Sequence, residues 1–359
     1  MSSRDTPYFV NFQGGFSGFN NPGGRVFWVA ASGYTALNGI GPSDSNSGLS
    51  PQKPFSTIQK GLDSCVAGRG DIVALLPGSY TITAALTMTI ADVTLCSAHP
   101  VAAHDYSPVI ITGAATLDVN LVQMDADNTR IIGLGFEAGF TTVTANQEVI
   151  QVNSTNTTTD IFGAIIKNCF FDMTRAAGAA SASDTDLDVI RVGLDSTDRA
   201  FNALVEGCTI RGYDQDGISI EAGSVGAVIR DNRIYDGIGS ELGLSGVNIK
   251  ATNALVSGNR ITAGTNSTTA GPINVNVATA RAIITDNHLV AWGADTLGIV
   301  AINTATFHSA RNYIHAVAAG NIIDYVTSAT VPSSNIDWGN IQNVDPALPA
   351  LVTATVGGL

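Results

Sequence analysis

The apolar and polar positions of this chain follow one short pattern that returns along most of its length. Each copy has a small residue, two aliphatic residues, a polar residue, a Gly, Asn or Asp, and then a slot residue. An apolar residue follows the slot after one free position. A pattern that returns in this way predicts a solenoid, in which each coil packs only on its neighbours. The clear copies cover 164–171, 203–210, 227–234, 254–261 and 282–289, and weaker copies cover 130–136 and 306–314.

The slot residues give the length of a coil. In chain order they are Leu134, Cys169, Cys208, Asn232, Asn259, Asn287 and Asn312. From Cys208 onward they lie 24, 27, 28 and 25 residues apart, which predicts one coil per interval. The longer intervals before Cys208 predict loops inserted at 141–147, 153–160 and 176–186.

A second set of short segments alternates apolar and polar residues, as half-buried strands do. These segments are 149–152, 189–192, 217–220, 246–249, 273–275, 298–302 and 322–325. With the slot pattern they predict two short strands in each coil, separated by bends at Gly or Asn, because these residues tolerate the left-handed backbone conformation. The sequence thus predicts an all-β parallel β-helix of about ten coils.

The slot asparagines are candidates for a structural ladder. Asn232, Asn259, Asn287 and Asn312 are expected to lie above one another in successive coils. Stacked side-chain amides can hydrogen-bond along the stacking axis. The alternative is a row of turn residues that make no such bonds.

The chain divides into four expected regions. Residues 1–25 form an aromatic arm for docking on a partner, and its anchors are Tyr8, Phe9, Phe12, Phe16 and Phe19. The alternative for this arm is a segment packed on its own solenoid. Residues 26–90 open and cap the β-helix with a helix over 56–67, residues 91–342 form the β-helix itself, and residues 343–359 form an apolar tail.

The opening region carries a resemblance to a known superfamily. Residues 44–65 read DSNSGLSPQKPFSTIQKGLDSC and residues 70–80 read GDIVALLPGSY. Together with the later slot repeats, they resemble right-handed parallel β-helix proteins of the pectin-lyase-like superfamily. The resemblance implies a right-handed parallel β-helix solenoid with an N-terminal capping helix and extended terminal arms. It implies no activity, because this fold serves lyases, hydrolases and non-enzymatic viral proteins alike.

Composition and charge exclude several classes of function. The net charge is −13 and no basic run occurs, which argues against nucleic acid as a partner. The N-terminus lacks the basic and apolar regions of a secretory signal peptide, and no apolar stretch is long enough for a membrane span. The four cysteines form no CxxC pair, so we expect no zinc site, and we expect no cofactor.

Two groups of aspartates are the candidate catalytic residues. Asp184, Asp186 and Asp188 share one face if their segment is a strand, and Asp214 and Asp216 form a similar pair. Stacking of coils could bring these groups together for Ca²⁺ ligation or for acid–base catalysis. The alternative, which we favour from the sequence, is that they are solvated loop acids and that there is neither a catalytic set nor a metal site.

The first functional hypothesis is a non-enzymatic structural protein of a bacteriophage particle. Its terminal arms and incomplete catalytic set favour a capsid decoration or accessory protein, made in the host cytoplasm, homotrimeric and bound to capsid or tail proteins. The second is a tailspike-type protein that binds or cleaves a host surface glycan. The third, a secreted pectate lyase or similar enzyme, is disfavoured by the absence of an export signal.

Overall fold

The computed structural model describes residues 23–36, 38–99, 107–114, 120–137, 148–153, 159–173, 188–213, 215–235, 245–263, 271–276, 280–291, 299–301, 306–316, 323–325, 336–338, 341–343 and 350–351. These residues form a right-handed parallel β-helix, so the predicted all-β solenoid is confirmed. No helix within these ranges is long and apolar enough to cross a membrane.

Three long sheets run along the solenoid, and nine successive coils of the described residues, from Ile72 to Tyr325, contribute one strand to each sheet. Sheet A has eleven parallel strands. They are β1 (Val26–Val29), β2 (Ile72–Leu75), β5 (Thr94–Ser97), β8 (Arg130–Ile132), β12 (Ile165–Lys167), β16 (Leu204–Glu206), β19 (Val228–Arg230), β22 (Ala254–Ser257), β25 (Arg281–Thr285), β28 (Thr306–Ala310) and β31 (Ile336–Trp338).

Sheet B follows sheet A within each coil and also has eleven strands, of which only the last is antiparallel to its neighbour. They are β3 (Gly78–Ile82), β6 (Val109–Gly113), β9 (Gly135–Glu137), β13 (Phe170–Asp172), β17 (Thr209–Arg211), β20 (Arg233–Tyr235), β23 (Arg260–Ala263), β26 (His288–Ala291), β29 (Tyr313–Ala316), β32 (Ile341–Asn343) and β33 (Ala350–Leu351).

Sheet C completes the coil with nine strands. They are β4 (Leu86–Met88), β7 (Val122–Met124), β10 (Ile150–Val152), β14 (Ile190–Val192), β18 (Asp216–Ile220), β21 (Ser245–Ile249), β24 (Ile273–Val275), β27 (Ile299–Ala301) and β30 (Ile323–Tyr325). A small pair, β11 (Ile161–Phe162) and β15 (Ala200–Phe201), lies between sheets C and A in the chain.

The prediction of two strands per coil was wrong, because each slot repeat contains two strands rather than one. The residue just before the slot adopts the left-handed conformation and bends the chain from sheet A into sheet B. This position is Asn168, Asp231 or Asp286 in three of the coils, with φ of 53°, 57° and 59°. In two further coils Gly207 and Gly258 occupy this position with positive φ, so bends at Gly or Asn occur here as expected, together with bends at Asp.

The core consists of columns of like residues stacked from coil to coil. One column on sheet C holds Val152, Val192, Ile220, Ile249 and Val275, which are paired in register and no more than 1% exposed. Burial of a whole aliphatic side chain contributes about 1.5–3 kcal/mol. Because every coil adds such residues, stability accumulates along the axis.

The slot asparagines form a hydrogen-bonded ladder. The amide of Asn232 donates to Asn259 Oδ1 at 3.0 Å, Asn259 donates to Asn287 at 3.0 Å, and Asn287 donates to Asn312 at 2.9 Å. Each of these oxygens also accepts the backbone N–H of the preceding slot, and Cys208 N–H donates to Asn232. Each slot amide further donates to a main-chain carbonyl of the preceding coil. The ladder therefore satisfies buried backbone groups at the bend between sheets A and B.

The capping helix α1 is shorter than the predicted 56–67 and covers Ile58–Asp63. Its N-cap is Thr57 rather than Ser56, the first residue of the predicted range, because the Thr57 side chain accepts a hydrogen bond from Lys60 N–H. Ser56 instead donates to Asp44, which also accepts hydrogen bonds from Thr57. The predicted insertions at 141–147 and 176–186, and most of 153–160, lie outside the described residues.

The ladder predicts a large local cost for its removal. We expect Asn259→Ala to lower the free energy of unfolding by about 2–4 kcal/mol, because it leaves a buried N–H and a buried carbonyl without partners. Equilibrium urea denaturation measures this change. Ser257→Ala, a half-buried outward position on the same coil, is the matched control with an expected change below about 0.5 kcal/mol. Equal effects of the two changes would contradict a stabilising ladder.

Candidate functional site

A column of buried acids stands at the start of sheet C. Glu148, Asp188 and Asp216 each lie two residues before a paired isoleucine, at Ile150, Ile190 and Ile218 respectively, so they occupy equivalent positions in successive coils. Their exposures are only 2%, 5% and 2%. Neighbouring parallel strands lie about 4.8 Å apart, and this spacing sets the distance between successive members of the column.

Polar residues extend this column at both ends. Asn120 lies one coil before Glu148 and accepts its backbone N–H at 3.0 Å. Ser245 lies one coil after Asp216 and is paired with it in register. Both residues are buried, so five successive coils place a polar group at this position.

A second column of polar residues runs beside the first on the outer face of sheet C. Register pairs connect its members across the sheet. Unlike the aliphatic columns of the core, every side chain in it can donate or accept hydrogen bonds. The column consists of Gln151, Arg191, Ser219, Asn248 and Asn274.

Arg191 and Lys250 form ion pairs with Glu148 of the column and with Glu221, an acid that directly follows strand β18. Arg191 Nη1 donates to Glu148 Oε1 at 2.9 Å, and Arg191 Nε lies 3.2 Å from Glu221 Oε1. Lys250 Nζ donates to the same Glu221 oxygen at 2.9 Å, and Ser219 Oγ donates to it at 3.0 Å. The Arg191 and Lys250 side chains keep 19% and 27% exposure, so solvent reaches the cluster at its cationic edge.

Asp188 and Asp216 have no such ion pair among the described residues. Asp216 N–H donates to Asp188 Oδ1 at 3.1 Å, and Asn248 Nδ2 donates to Asp216 Oδ2 at 2.6 Å. Burial raises the pKa of Asp216 to about 6, although Asn248 and Lys250 act in the opposite direction. Burial and then the carboxyl of Asp216 hold the pKa of Asp188 well above its usual range. Because the two carboxyls lie on neighbouring coils, ionisation of one disfavours ionisation of the other.

Glu148 is the third acid with a raised pKa. Burial causes the rise, and the hydrogen bond from Arg191 acts against it. The cluster therefore combines carboxyls whose burial disfavours ionisation with a cation, Arg191, that favours ionisation of Glu148. Such opposed environments within one small region are typical of acid–base sites.

Several buried polar atoms of this cluster lack a hydrogen-bond partner in the described structure. A buried polar atom without a partner is costly, so natural proteins keep few of them. Their concentration in this cluster makes it the candidate site for a polar ligand. The atoms are Gln151 Nε2, Asp216 Oδ1, Ser245 Oγ and Asn248 Oδ1.

The arrangement suits the transfer of a proton to a polar substrate. A proton donor and a carboxylate on neighbouring coils are the groups required to cleave a glycosidic bond. Spacings of about 4.8 Å between adjacent coils and about 9.6 Å across two coils bracket the carboxyl separations that hydrolysis uses. Within the described ranges, no group of three or more His, Cys, Asp or Glu residues could hold a metal ion.

The structure places only some of the sequence-predicted residues. It brings Asp188 and Asp216 together on neighbouring coils and buries both, so they are not solvated loop acids. Asp184, Asp186 and Asp214 lie outside the described residues, as do the arm residues Tyr8, Phe9, Phe12, Phe16 and Phe19.

The sequence interpretation missed four of the six charged residues of the cluster. Glu148, Arg191, Glu221 and Lys250 were not candidates, although Arg191 lies in one of the alternating segments. Alignment of the coils on these segments, rather than on the slot, places Glu148, Asp188 and Asp216 in one column directly from the sequence. The column of acids could therefore have been recognised from the spacing of the alternating segments.

No protein-family profile matches this sequence, and no curated protein matches it significantly. Solved structures do match. A GH136 lacto-N-biosidase from Eubacterium ramulus is 12% identical with a TM-score of 0.52, and the match covers 89% of this chain and 67% of that one. A mutant tailspike protein of E. coli bacteriophage HK620, solved in complex with a pentasaccharide, is 14% identical with a TM-score of 0.50. This match covers 90% of this chain and 59% of the tailspike chain, so the present chain spans less than two thirds of that protein. At these identities the likeness shows a shared parallel β-helix fold.

The raised pKa of Asp216 makes stability fall as pH rises. The folded form holds its proton between the ordinary pKa of 3.8 and about 6, so the cost of ionisation is complete above that window. We expect Asp216→Asn to raise the free energy of unfolding at pH 8 by about 1–3 kcal/mol, since one pKa unit is worth about 1.4 kcal/mol. Thermal unfolding of both proteins at pH 5 and pH 8 measures the difference.

The matched control for this change is Glu137→Gln, which removes an exposed carboxylate from sheet B. It is expected to leave the pH dependence of unfolding as it is in the wild type. An Asp216→Asn protein that is less stable than the wild type at pH 8 would contradict the assignment of a proton to this cluster.

Proposed function

We propose that this protein is a tailspike-type component of a bacteriophage particle that cleaves a bacterial surface polysaccharide at the acid column of sheet C. The observation that carries the proposal is the stack of Glu148, Asp188 and Asp216 on successive coils, with a pKa of about 6 at Asp216. A carboxyl poised near neutral pH can donate a proton to a leaving sugar oxygen and recover it afterwards.

The proposed roles follow from the charges of the cluster. Asp216 is the proton donor in this proposal, because its pKa lies near 6 and its buried Oδ1 has no hydrogen-bond partner among the described residues. Ionisation of one carboxyl disfavours ionisation of the other, so Asp188 is the carboxylate when Asp216 is protonated. At the adjacent-coil spacing of about 4.8 Å, Asp188 attacks the anomeric carbon while the leaving sugar oxygen takes the proton of Asp216, and water then hydrolyses the glycosyl ester. Arg191 keeps Glu148 and Glu221 in place at the rim and orients the polar surface around the donor.

The unpartnered polar atoms supply binding. Gln151 Nε2 can donate a hydrogen bond, Asn248 Oδ1 can accept one, and Ser245 Oγ can do either. Sugar hydroxyls both donate and accept, so a polysaccharide can satisfy all three groups where an apolar ligand cannot. The polar column thus supports a carbohydrate as the substrate class.

The structural neighbours support this hypothesis better than a non-enzymatic capsid protein. One is a glycosidase, and the other is a phage tailspike bound to a pentasaccharide. These neighbours share only the fold of this chain, so they support the proposal in general terms. The specific argument for cleavage is the acid column of sheet C. A homotrimer and attachment of the particle through residues 1–25 remain parts of the proposal, and attachment to a capsid is its less supported form.

The activity is tested by incubating the protein with purified capsular and O-antigen polysaccharides and measuring the new reducing ends. We expect release from at least one polysaccharide and a loss of about 10²–10⁴-fold in rate for Asp216→Asn, as is usual when a general acid is removed. Glu137→Gln removes one exposed charge and is expected to keep the wild-type rate. Absence of release by the wild type, or full activity of Asp216→Asn, would contradict the proposal.

Attachment is tested separately from cleavage. We expect the full-length chain to copurify with phage particles, and we expect the chain lacking residues 1–25 to lose this association while it still releases reducing ends. The aromatic side chains of this segment are the expected anchors. Undiminished copurification of the shortened chain would contradict the docking role of the arm.

A further inference from the structure

A pair of stacked arginines stands on the outer face of sheet B, away from the acid column. Arg233 and Arg260 are paired in register on β20 and β23, and both side chains are exposed. The next members of the same column are His288 and Tyr313, whose rings make an edge-on contact with centroids 4.9 Å apart. Four successive coils thus present two cations and two rings along the solenoid axis.

The stacked arginines differ from three other solvent-accessible arginines, which form ion pairs with acids on neighbouring coils. Within the described ranges, no carboxylate pairs with Arg233 or Arg260, although the chain has 30 acidic and only 17 basic residues. Like charges in directly opposite positions on neighbouring strands repel each other. By contrast, other arginines reach acids on the neighbouring coil, namely Arg199 to Asp160, Arg230 to Glu206 and Arg311 to Asp286.

The same face has a second column at the ends of the strands. Arg211 and Tyr235 are paired in register there, on β17 and β20. Arg211 lies 3.6 Å from Asp172, a loose ion pair in which both side chains remain partly exposed. Because Arg211 ends a strand of sheet B and Asp216 begins the next strand of sheet C, this column lies next to the acid site along the chain.

The positive charge on this face also affects the pKa of His288. Burial and then the charge of Arg260 lower the pKa of His288, so this ring is a neutral partner beside the cations. A neutral imidazole can donate a hydrogen bond and accept another. The column therefore offers cationic groups followed by a polar aromatic group.

We propose that Arg233 and Arg260 bind acidic groups of a polysaccharide that lies along the coils of sheet B. This inference rests on the proposed function and narrows its substrate class to acidic glycans. The guanidinium group binds carboxylates and phosphates through two parallel hydrogen bonds. Tyr235 beside Arg233 provides an aromatic surface for a sugar ring, and a negatively charged glycan relieves the repulsion between the stacked arginines.

A glycan fits this face better than a nucleic acid. A nucleic acid carries a phosphate charge at every nucleotide, so the net charge of −13 repels it strongly, and the basic stripe among the described residues is narrow. An acidic polysaccharide carries its charges farther apart and presents hydroxyls to the neighbouring polar side chains. Binding of single-stranded DNA is therefore a competing outcome that the experiment must measure.

The experiment measures binding of full-length protein to immobilised polysaccharides at low and at high salt. The probes are a uronate-bearing capsular polysaccharide, a phosphate-bearing wall polysaccharide, neutral dextran and a single-stranded DNA. The variant carries Arg233→Gln and Arg260→Gln together. The matched control carries Lys53→Gln and Arg281→Gln, which remove the same charge from exposed positions outside sheet B.

We expect the wild type to bind at least one acidic polysaccharide, more tightly at low salt, and to bind dextran at least tenfold more weakly. The double variant is expected to lose at least tenfold in affinity while its unfolding temperature stays equal or rises, and the control is expected to keep wild-type affinity. Preference for the uronate or for the phosphate probe identifies the acidic group. Equal binding of dextran, tighter binding of DNA, equal loss in the control, or no binding to either acidic polysaccharide would overturn the inference.

Asp216→Asn separates this inference from the proposed function. We expect this variant to bind the acidic polysaccharide with wild-type affinity and to release no reducing ends. If Asp216→Asn still cleaves while the arginine variant loses binding, the catalytic assignment fails and the arginine stripe stands. If the arginine variant binds and cleaves the acidic polysaccharide as efficiently as the wild type, the arginine proposal fails and the catalytic assignment stands.

Discussion

In-register stacking of the coils is the constraint on which the rest of this structure depends. Because each residue lies directly above its counterpart in the next coil, a side chain must be compatible with that counterpart as well as with its own surroundings. Aliphatic columns satisfy this condition by packing. The Asn232, Asn259 and Asn287 column satisfies it by hydrogen bonds, in which each amide donates to the next amide and to a carbonyl of the preceding coil.

The acid column satisfies the same constraint at a cost. Stacked carboxylates repel each other, and burial makes their ionisation still less favourable. Arg191 relieves part of this cost at Glu148, whereas Asp188 and Asp216 relieve it by retaining a proton. A protein selected only for stability could place Asn or Ser in this column, as it does at its two ends. Retention of a costly arrangement on one face is typical of functional sites.

Much of the fold could be predicted from the sequence, because the slot repeat keeps its spacing over the later coils. The number of strands per coil could not, since the bend between sheets A and B is made by one left-handed residue and leaves the apolar pattern almost uninterrupted. The acid cluster was predicted in part. Asp188 and Asp216 were visible as clustered acids, whereas Glu148 and Arg191 stand alone in the sequence and meet only through stacking. Loops of unequal length separate the slot from sheet C. An alignment of the coils on the slot residues therefore does not align Glu148 with Asp188 and Asp216.

The central claim is that a carboxyl of the acid column stays protonated near neutral pH. Infrared difference spectroscopy between pH 5 and pH 8 measures this directly, because a protonated carboxyl and a carboxylate absorb at different frequencies. The account predicts a carboxyl band that titrates near the pKa of about 6 and that disappears in Asp216→Asn. A spectrum in which all carboxyls have titrated below pH 5, or in which Asp216→Asn keeps the band unchanged, would contradict it.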